Sequence, residues 1–279
     1  MKTITSFVKM KTNRDPIAMV TAYDAPTAKA AAKAEMDMIL VGDSAGMVVH
    51  GYDSTIPVTL DDMVLHSKAV KRGAPHIFTV TDLPFLSYNG EFAETLQSVK
   101  RLMQETGIQA VKLEGAGRTL SVIDRLTQSG VPVVGHLGLT PQSVGTIGGY
   151  KVQGKTEESA NQLVKDAVAI QESGAFALVL ECVPLQLASH ITDLLTIPVI
   201  GIGAGVETDG QVLVFHDIVG FSDGFVPSFV KQYADIQTEM ETALLTYVKE
   251  VKQSIFPEPQ HTFTMNQEIP GTLYKGGEK

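Results

Sequence analysis

The chain has 279 residues, with 22 Lys plus Arg against 31 Asp plus Glu and a formal net charge of −9. Hydrophobic content of 44% beside charged content of 19% excludes a disordered chain and supplies enough apolar surface for a sizeable core. The pI near 5.2 argues against broad electrostatic binding to nucleic acid or an anionic membrane. A single cysteine, Cys182, excludes an internal disulfide and a CxxC zinc ribbon. Residues 1–15 lack the apolar core of a secretory signal, and no run approaches about 18 apolar residues. The expectation is a cytoplasmic protein without an anchor.

In chain order, apolar runs at 18–22, 38–42, 77–81, 109–113, 132–136, 176–181, 198–202 and 217–221 predict strands. The six middle runs are nearly continuous in apolar residues, as strands buried on both faces of a parallel sheet are, and the first and last are more mixed. Between them, residues 24–35 are rich in Ala, and 60–72 and 91–105 repeat apolar residues at helical spacings, the latter stopping at Gly107. Residues 156–173 open on Thr156 and close at Gly174, an N-cap and a C′ glycine. Residues 229–254 read as one or two further helices. Eight such alternations fit one α/β domain, a (β/α)8 TIM barrel over 1–256, whose typical size is about 250 residues. A doubly wound open sheet is the competing arrangement. The excursions 46–59 and 137–155 are Gly-rich, polar and suited to functional loops. Residues 257–279 form a Pro/Gly-rich polar tail, poorly ordered unless docked.

Ligands of parallel α/β folds gather at the carboxyl ends of the strands. Here those ends read VGDS (Asp43, Ser44), TVTD (Asp82), VKLE (Lys112, Glu114), VGH (His136) and LVLE (Glu181). An isolated Asp-Ser pair caps a helix as readily as it binds a ligand. Asp43 and Asp82 in one cup repel each other unless they share a proton or a cation. Oxygen donors favour a hard ion such as Mg²⁺, with Glu114 as a third donor. Lys112 and Glu114 alternate with apolar neighbours and share one face of their strand, either as a solvated pair or as a cation beside the acidic cluster. Glu181 ends an apolar run, where a carboxylate is costly unless paired, and is a candidate general base. His136 reads as a satisfied core histidine or a substrate contact, and Cys182 as a packing residue. His50, His66, His76, His190, His216 and His261 show no metal-ligand spacing. The run Gly201-Ile202-Gly203-Ala204-Gly205 lacks the G-x-G-x-x-G spacing of a dinucleotide site and suggests a close backbone approach to a ligand.

Nine blocks carry a resemblance: MVTAYDAPTA at 19–28, ILVGDSAGMVVHGYDSTIPVTLDDM at 39–63, TDLPFLSY at 81–88, AVKLEG at 110–115, GHLGLTPQSV at 135–144, GGYKVQGK at 148–155, LVLECVP at 178–184, IPVIGIGAGVETDGQVLVFHD at 197–217 and FVKQYADI at 229–236. In this order they resemble the ketopantoate hydroxymethyltransferase family along nearly the whole chain. The resemblance implies a barrel of the phosphoenolpyruvate/pyruvate type, assembled as a homodecamer. It implies transfer of a one-carbon unit from 5,10-methylenetetrahydrofolate, as co-substrate, to 3-methyl-2-oxobutanoate, giving 2-dehydropantoate for pantothenate and coenzyme A synthesis. It further implies one Mg²⁺ per subunit at Asp43 and Asp82, with Glu114 assigned to the metal site. By the same resemblance Ser44 and Lys112 hold the oxo acid, His136 lies near it, and Glu181 is the proton acceptor. Leu86 stands where the family more commonly has Gly, and Ala45 where Leu is frequent. The nearest rival is another Mg²⁺-dependent lyase or mutase of 2-oxo acids on the same barrel. A catalytically silent ligand-binding or nucleotide-binding protein on an open sheet is the rival of a different class.

Overall fold

Residues with apolar side chains on both faces of a strand can be satisfied only when helices cover one side and a filled interior the other. In the computed structural model, which describes residues 1–222 and 224–265, the strands close on themselves in that way. They are β1 (Ile17–Thr21), β2 (Met38–Val41), β3 (Phe78–Asp82), β4 (Ala110–Glu114), β5 (Val133–Gly138), β6 (Ala177–Glu181), β7 (Val199–Ile202) and β8 (Gly210–Leu213). Each pairs in parallel with the next, and β8 pairs with β1 to complete the barrel. The open sheet is thereby excluded.

Alternation along the strands sorts the core into two parts. Val111, Leu113, Val133, Leu178, Leu180 and Val199 pack outward with the helices. Met19, Met38, Phe78, Val80, Val134, Val179 and Ile200 fill the interior. Helix Ile4–Asn13 adds Phe7 and Met10 to that interior cluster. Phe7 meets Phe78 edge to face at 5.2 Å between ring centroids, and Phe78 meets Phe176 at 5.6 Å. The amino-terminal part of the barrel is thus filled by aromatic packing, which leaves the carboxyl ends for polar groups.

Several expectations need correction. The eighth strand is Gly210–Leu213, not 217–221; residues Phe215–Val219 form a short helix that ends at Gly220, whose φ is 62°. Gly210 begins the strand because a Cβ there would lie 2.4 Å from the Ile17 carbonyl oxygen, so only glycine lets β8 close against β1. The return from β7 to β8 contains no helix. Helices Ile4–Asn13, Arg118–Gln128 and Leu185–Leu194 join those read from the pattern. At the glycine run the backbone approaches other parts of the protein closely. A Cβ at Gly203 would meet the Phe229 ring at 2.9 Å, and one at Gly205 would meet Leu185 at 2.4 Å.

The chain divides into the units Met1–Ala234 and Asp235–Lys279. Helix Ile236–Lys252, in the second unit, has no buried residue. Within the second unit, Phe256 packs against Tyr247 and His261 at 5.6 and 5.4 Å between ring centroids. Of the expected tail, 257–279, residues 266–279 lie outside the described residues. No described helix is long and apolar enough to cross a membrane.

Candidate active site at the barrel mouth

Strand register brings the predicted residues together. Asp82 lies opposite Lys112 between β3 and β4, and Glu114 lies opposite His136 between β4 and β5. His136 lies opposite Val179, so Glu181, two residues further on, shares its face. Parallel partners point the same way, and the four strands therefore aim Asp82, Lys112, Glu114, His136 and Glu181 into one mouth. Asp43 and Ser44 follow directly from β2. The backbone N–H of Asp43 donates to Asp82 Oδ2 at 3.1 Å.

The contacts form a continuous charged chain. Lys112 Nζ lies 2.9 Å from Asp82 Oδ1, 3.8 Å from Glu114 Oε1 and 3.3 Å from His136 Nδ1. His136 Nδ1 is 3.3 Å from Glu114 Oε1, and its Nε2 is 3.2 Å from Glu181 Oε2. Asp43, Asp82, Lys112, Glu114 and His136 are all buried, while the Glu181 side chain keeps 15% of its surface exposed. Ser44 Oγ is 2.8 Å from the Tyr23 hydroxyl. The structure therefore rejects the solvated reading of Lys112 and Glu114.

Charge states follow from this packing. Burial, then the charges of Asp82 and Glu114, hold the Asp43 carboxyl well above the usual carboxylate range. Burial also raises Asp82, against the pull of Lys112. Burial opposes the charge on Lys112, but the surrounding carboxylates more than reverse it, so the ammonium is held more firmly than in water. Burial likewise disfavours charge on Glu114, yet His136 and Lys112 bring its carboxyl below its ordinary value. For His136, burial and the Lys112 charge push downward, and contacts with Glu114 and Glu181 carry the imidazole up to about 9. At neutral pH the mouth thus holds Lys112 and His136 as cations among four carboxylates. Two negative charges are left over if all four carboxylates ionise, the deficit a divalent cation would fill.

Polar satisfaction points the same way. The ion-pair contacts lack hydrogen-bond alignment, so Asp82 Oδ1, Glu114 Oε1 and His136 Nε2 are buried polar atoms without a hydrogen-bond partner. Three such atoms around one mouth are groups a ligand would satisfy. Among the described residues no three His, Cys, Asp or Glu side chains converge as a ready ligand cluster. Glu114 Oε2 instead accepts the backbone N–H of Gln142 at 3.0 Å. Mg²⁺ requires no such trio, since it commonly takes one or two carboxylates and completes its shell with substrate oxygens and water. The Asp43–Asp82 pair fits that pattern.

Three residues here escaped the sequence reading. Gln142, from the 3₁₀ turn Pro141–Ser143, is buried and donates to Asp43 Oδ2 at 2.7 Å. Tyr88 donates to Gln142 Oε1 at 2.7 Å, and Tyr23 meets Ser44. Gln142 and Tyr88 lie inside the blocks TPQS and FLSY, but neutral side chains carried no charge signal. The structure also pairs His50 with His66, whose Nε2 atoms are 2.9 Å apart, although their sequence spacing is no ligand pattern. His66 Nδ1 reaches the Tyr23 carbonyl at 2.7 Å.

A family model described as ketopantoate hydroxymethyltransferase matches residues 1–259. The chain is 60% identical over 279 residues to 3-methyl-2-oxobutanoate hydroxymethyltransferase of Bacillus pumilus (strain SAFR-032), covering 100% of both chains. It is 60% identical over 276 residues to the protein of that name from Geobacillus kaustophilus (strain HTA426), covering 99% of each. Among solved structures it resembles 2,3-dimethylmalate lyase, a member of the PEP mutase/isocitrate lyase superfamily. That match has a TM-score of 0.57 at 17% identity and covers 93% of each chain. At that identity the likeness speaks for the fold alone.

Proposed function

The chain belongs to the ketopantoate hydroxymethyltransferase family, and from that premise we propose how its barrel mouth carries out the reaction. The enzyme transfers a hydroxymethyl group from methylenetetrahydrofolate to 3-methyl-2-oxobutanoate. The observation that carries the residue assignment is the unbroken chain of contacts from Asp82 through Lys112, Glu114 and His136 to Glu181.

Asp43 and Asp82 are the residues that would hold Mg²⁺, one ion per subunit. Glu114, engaged by Gln142 and His136, supports the site from behind. When bound there, the ion would supply Lewis-acid polarisation of the substrate ketone, which makes the neighbouring C3–H acidic. Ser44 and Lys112 hold the oxo acid, and the buried ammonium of Lys112 opposes the negative charge that develops on its oxygen. Glu181, at the exposed end of the chain of contacts, takes the C3 proton on a carboxylate oxygen. His136 Nε2 lies 3.2 Å from Glu181 Oε2 and orients that carboxylate toward the substrate. The electron pair left at C3 forms the new C–C bond to the folate methylene carbon as one of that carbon's two bonds to folate nitrogen breaks. Water then supplies the hydroxyl oxygen as the second C–N bond breaks, and the two released nitrogens take up the proton removed from C3 and one proton of the water.

We include in this reading the decamer implied by the resemblance. Leu244, Leu245, Tyr247, Val248 and Val251 are exposed on one helix, more apolar surface than a solvated helix presents, and subunit contact would cover it. The test is product formation from 3-methyl-2-oxobutanoate with methylenetetrahydrofolate, before and after chelation with EDTA. The reading requires 2-dehydropantoate that appears only with folate, disappears on chelation and returns with Mg²⁺. Undiminished product after complete chelation would overturn the metal assignment, and no product under any condition would overturn the whole.

A further inference from the structure

Gln142 spends every hydrogen-bonding atom of its amide inside the mouth. Its Nε2 donates to Asp43 Oδ2 at 2.7 Å and to the Leu83 carbonyl at 2.9 Å. Its Oε1 accepts from the Tyr88 hydroxyl at 2.7 Å, and its backbone N–H donates to Glu114 Oε2 at 3.0 Å. The orientation of the amide is forced, because the Leu83 carbonyl and the Asp43 carboxylate are both acceptors and must face the NH₂. Tyr88 fixes the other end, and its oxygen in turn accepts the Glu114 backbone N–H at 3.3 Å. One neutral residue, through its side chain and its backbone N–H, therefore ties the loops after β2 and β3 to the end of β4. No described residue donates a side-chain or backbone hydrogen to Asp43 Oδ1.

We propose that Gln142 is a positioning residue that fixes the Asp43 carboxylate with Oδ2 occupied and Oδ1 presented to the divalent cation, and that Tyr88 acts through it. The chemistry asks for an amide at this place. A carboxylate would repel Asp43, and an aliphatic chain would leave Asp43 Oδ2, the Leu83 carbonyl and the Tyr88 hydroxyl short of a buried partner. An ammonium would compete with the cation for Asp43. A second role follows from the backbone contact: holding Glu114 Oε2 leaves Glu114 Oε1 facing His136, and so separates the residue that supports Glu181 from the pair that would hold the metal. This inference rests on the reading of Asp43 as a metal ligand.

The test measures Mn²⁺ binding to the full-length protein, without substrate, from the electron paramagnetic resonance signal of free Mn²⁺. Wild type, Asp43→Asn, Gln142→Met, Tyr88→Phe and the Gln142→Met/Tyr88→Phe double variant are compared. The proposal expects Gln142→Met to weaken Mn²⁺ binding at least tenfold in folded protein and Tyr88→Phe to weaken it by a smaller factor. It also expects Tyr88→Phe to add less than twofold once Gln142 is Met, as a residue acting through another should. A folded Gln142→Met protein with wild-type Mn²⁺ affinity overturns the proposal. Should Gln142→Met not fold, Tyr88→Phe decides alone: weakened binding supports the proposal and unchanged binding overturns it. If wild type binds and Asp43→Asn does not, the metal reading stands whatever Gln142→Met shows. If wild type itself binds no Mn²⁺, the metal reading falls and takes the proposal with it.

Discussion

At the scale of single residues, two of the five described non-glycine residues with positive φ lie beside the reactive groups. Cys182, directly after Glu181, has φ 50°, and Leu86, in the loop after β3, has φ 62°. Side chains with a Cβ adopt this left-handed region at a cost of about 1–2 kcal/mol. The resemblance implies Gly at the position of Leu86, and that is also where the backbone is left-handed. Its side chain is exposed and its loss forfeits little packing. Leu86→Gly should therefore raise unfolding free energy in urea by up to about 1 kcal/mol, the relief being offset in part by the greater freedom of glycine in the unfolded chain. A loss of stability would show that Leu86 packs more tightly than its exposure implies. Cys182 offers a second check, made simple by its being the only cysteine. Burial and the Glu181 charge push its thiol up to about 11. Alkylation by iodoacetamide should be slow at pH 8 and accelerate as pH rises toward 11, because only the thiolate reacts. A rate that levels off near pH 8.5 would contradict the packing around Glu181.

At the scale of elements, the sequence pattern reached the strands that are apolar throughout and faltered where an element depends on one close contact. β2 to β7 announce themselves through runs such as Met38 to Val41 and Ala177 to Leu180. β8 does not, because its start is set by the fit of Gly210 against Ile17, a tertiary fact. The glycines of 201–205 were legible as sites of close approach, but their neighbours, Phe229, Leu185 and Thr208, were not. Helix Ile4–Asn13 was missed for a similar reason. Its apolar residues are few, and only Phe7 and Met10 are buried, yet they fill the interior beneath the reactive groups. Phe7→Ala should consequently cost about 3–5 kcal/mol, the range for removing a fully buried aromatic side chain. The measurement is the urea midpoint at unchanged m value. A cost below about 1 kcal/mol would mean that the helix is an appendage to the barrel and not part of its core.

At the scale of the whole molecule, function depends on how the closed barrel converts sequence alternation into a charge arrangement. Lys112 and Glu114 in the run A-V-K-L-E are unfavourable in a buried strand until register places Asp82 and His136 beside them. That much was legible, since ionised residues at successive strand ends have few other uses. Gln142 was not legible, because an amide inside a loop carries neither charge nor periodicity, and its part emerges only from four contacts made across the fold. The resulting mouth combines a carboxylate pair suited to a hard cation, a firmly charged lysine, and a carboxylate, Glu181, in contact with a cationic histidine.

The measurement that tests this account most directly is proton NMR of 3-methyl-2-oxobutanoate in D₂O with the protein and Mg²⁺, without folate. Wild type should exchange the C3 proton for deuterium. Glu181→Gln should still bind the oxo acid, by saturation transfer, while exchange falls at least about 100-fold, the scale of a lost general base. Exchange at the wild-type rate in folded Glu181→Gln protein would contradict the account, because the proton would then leave to some other group.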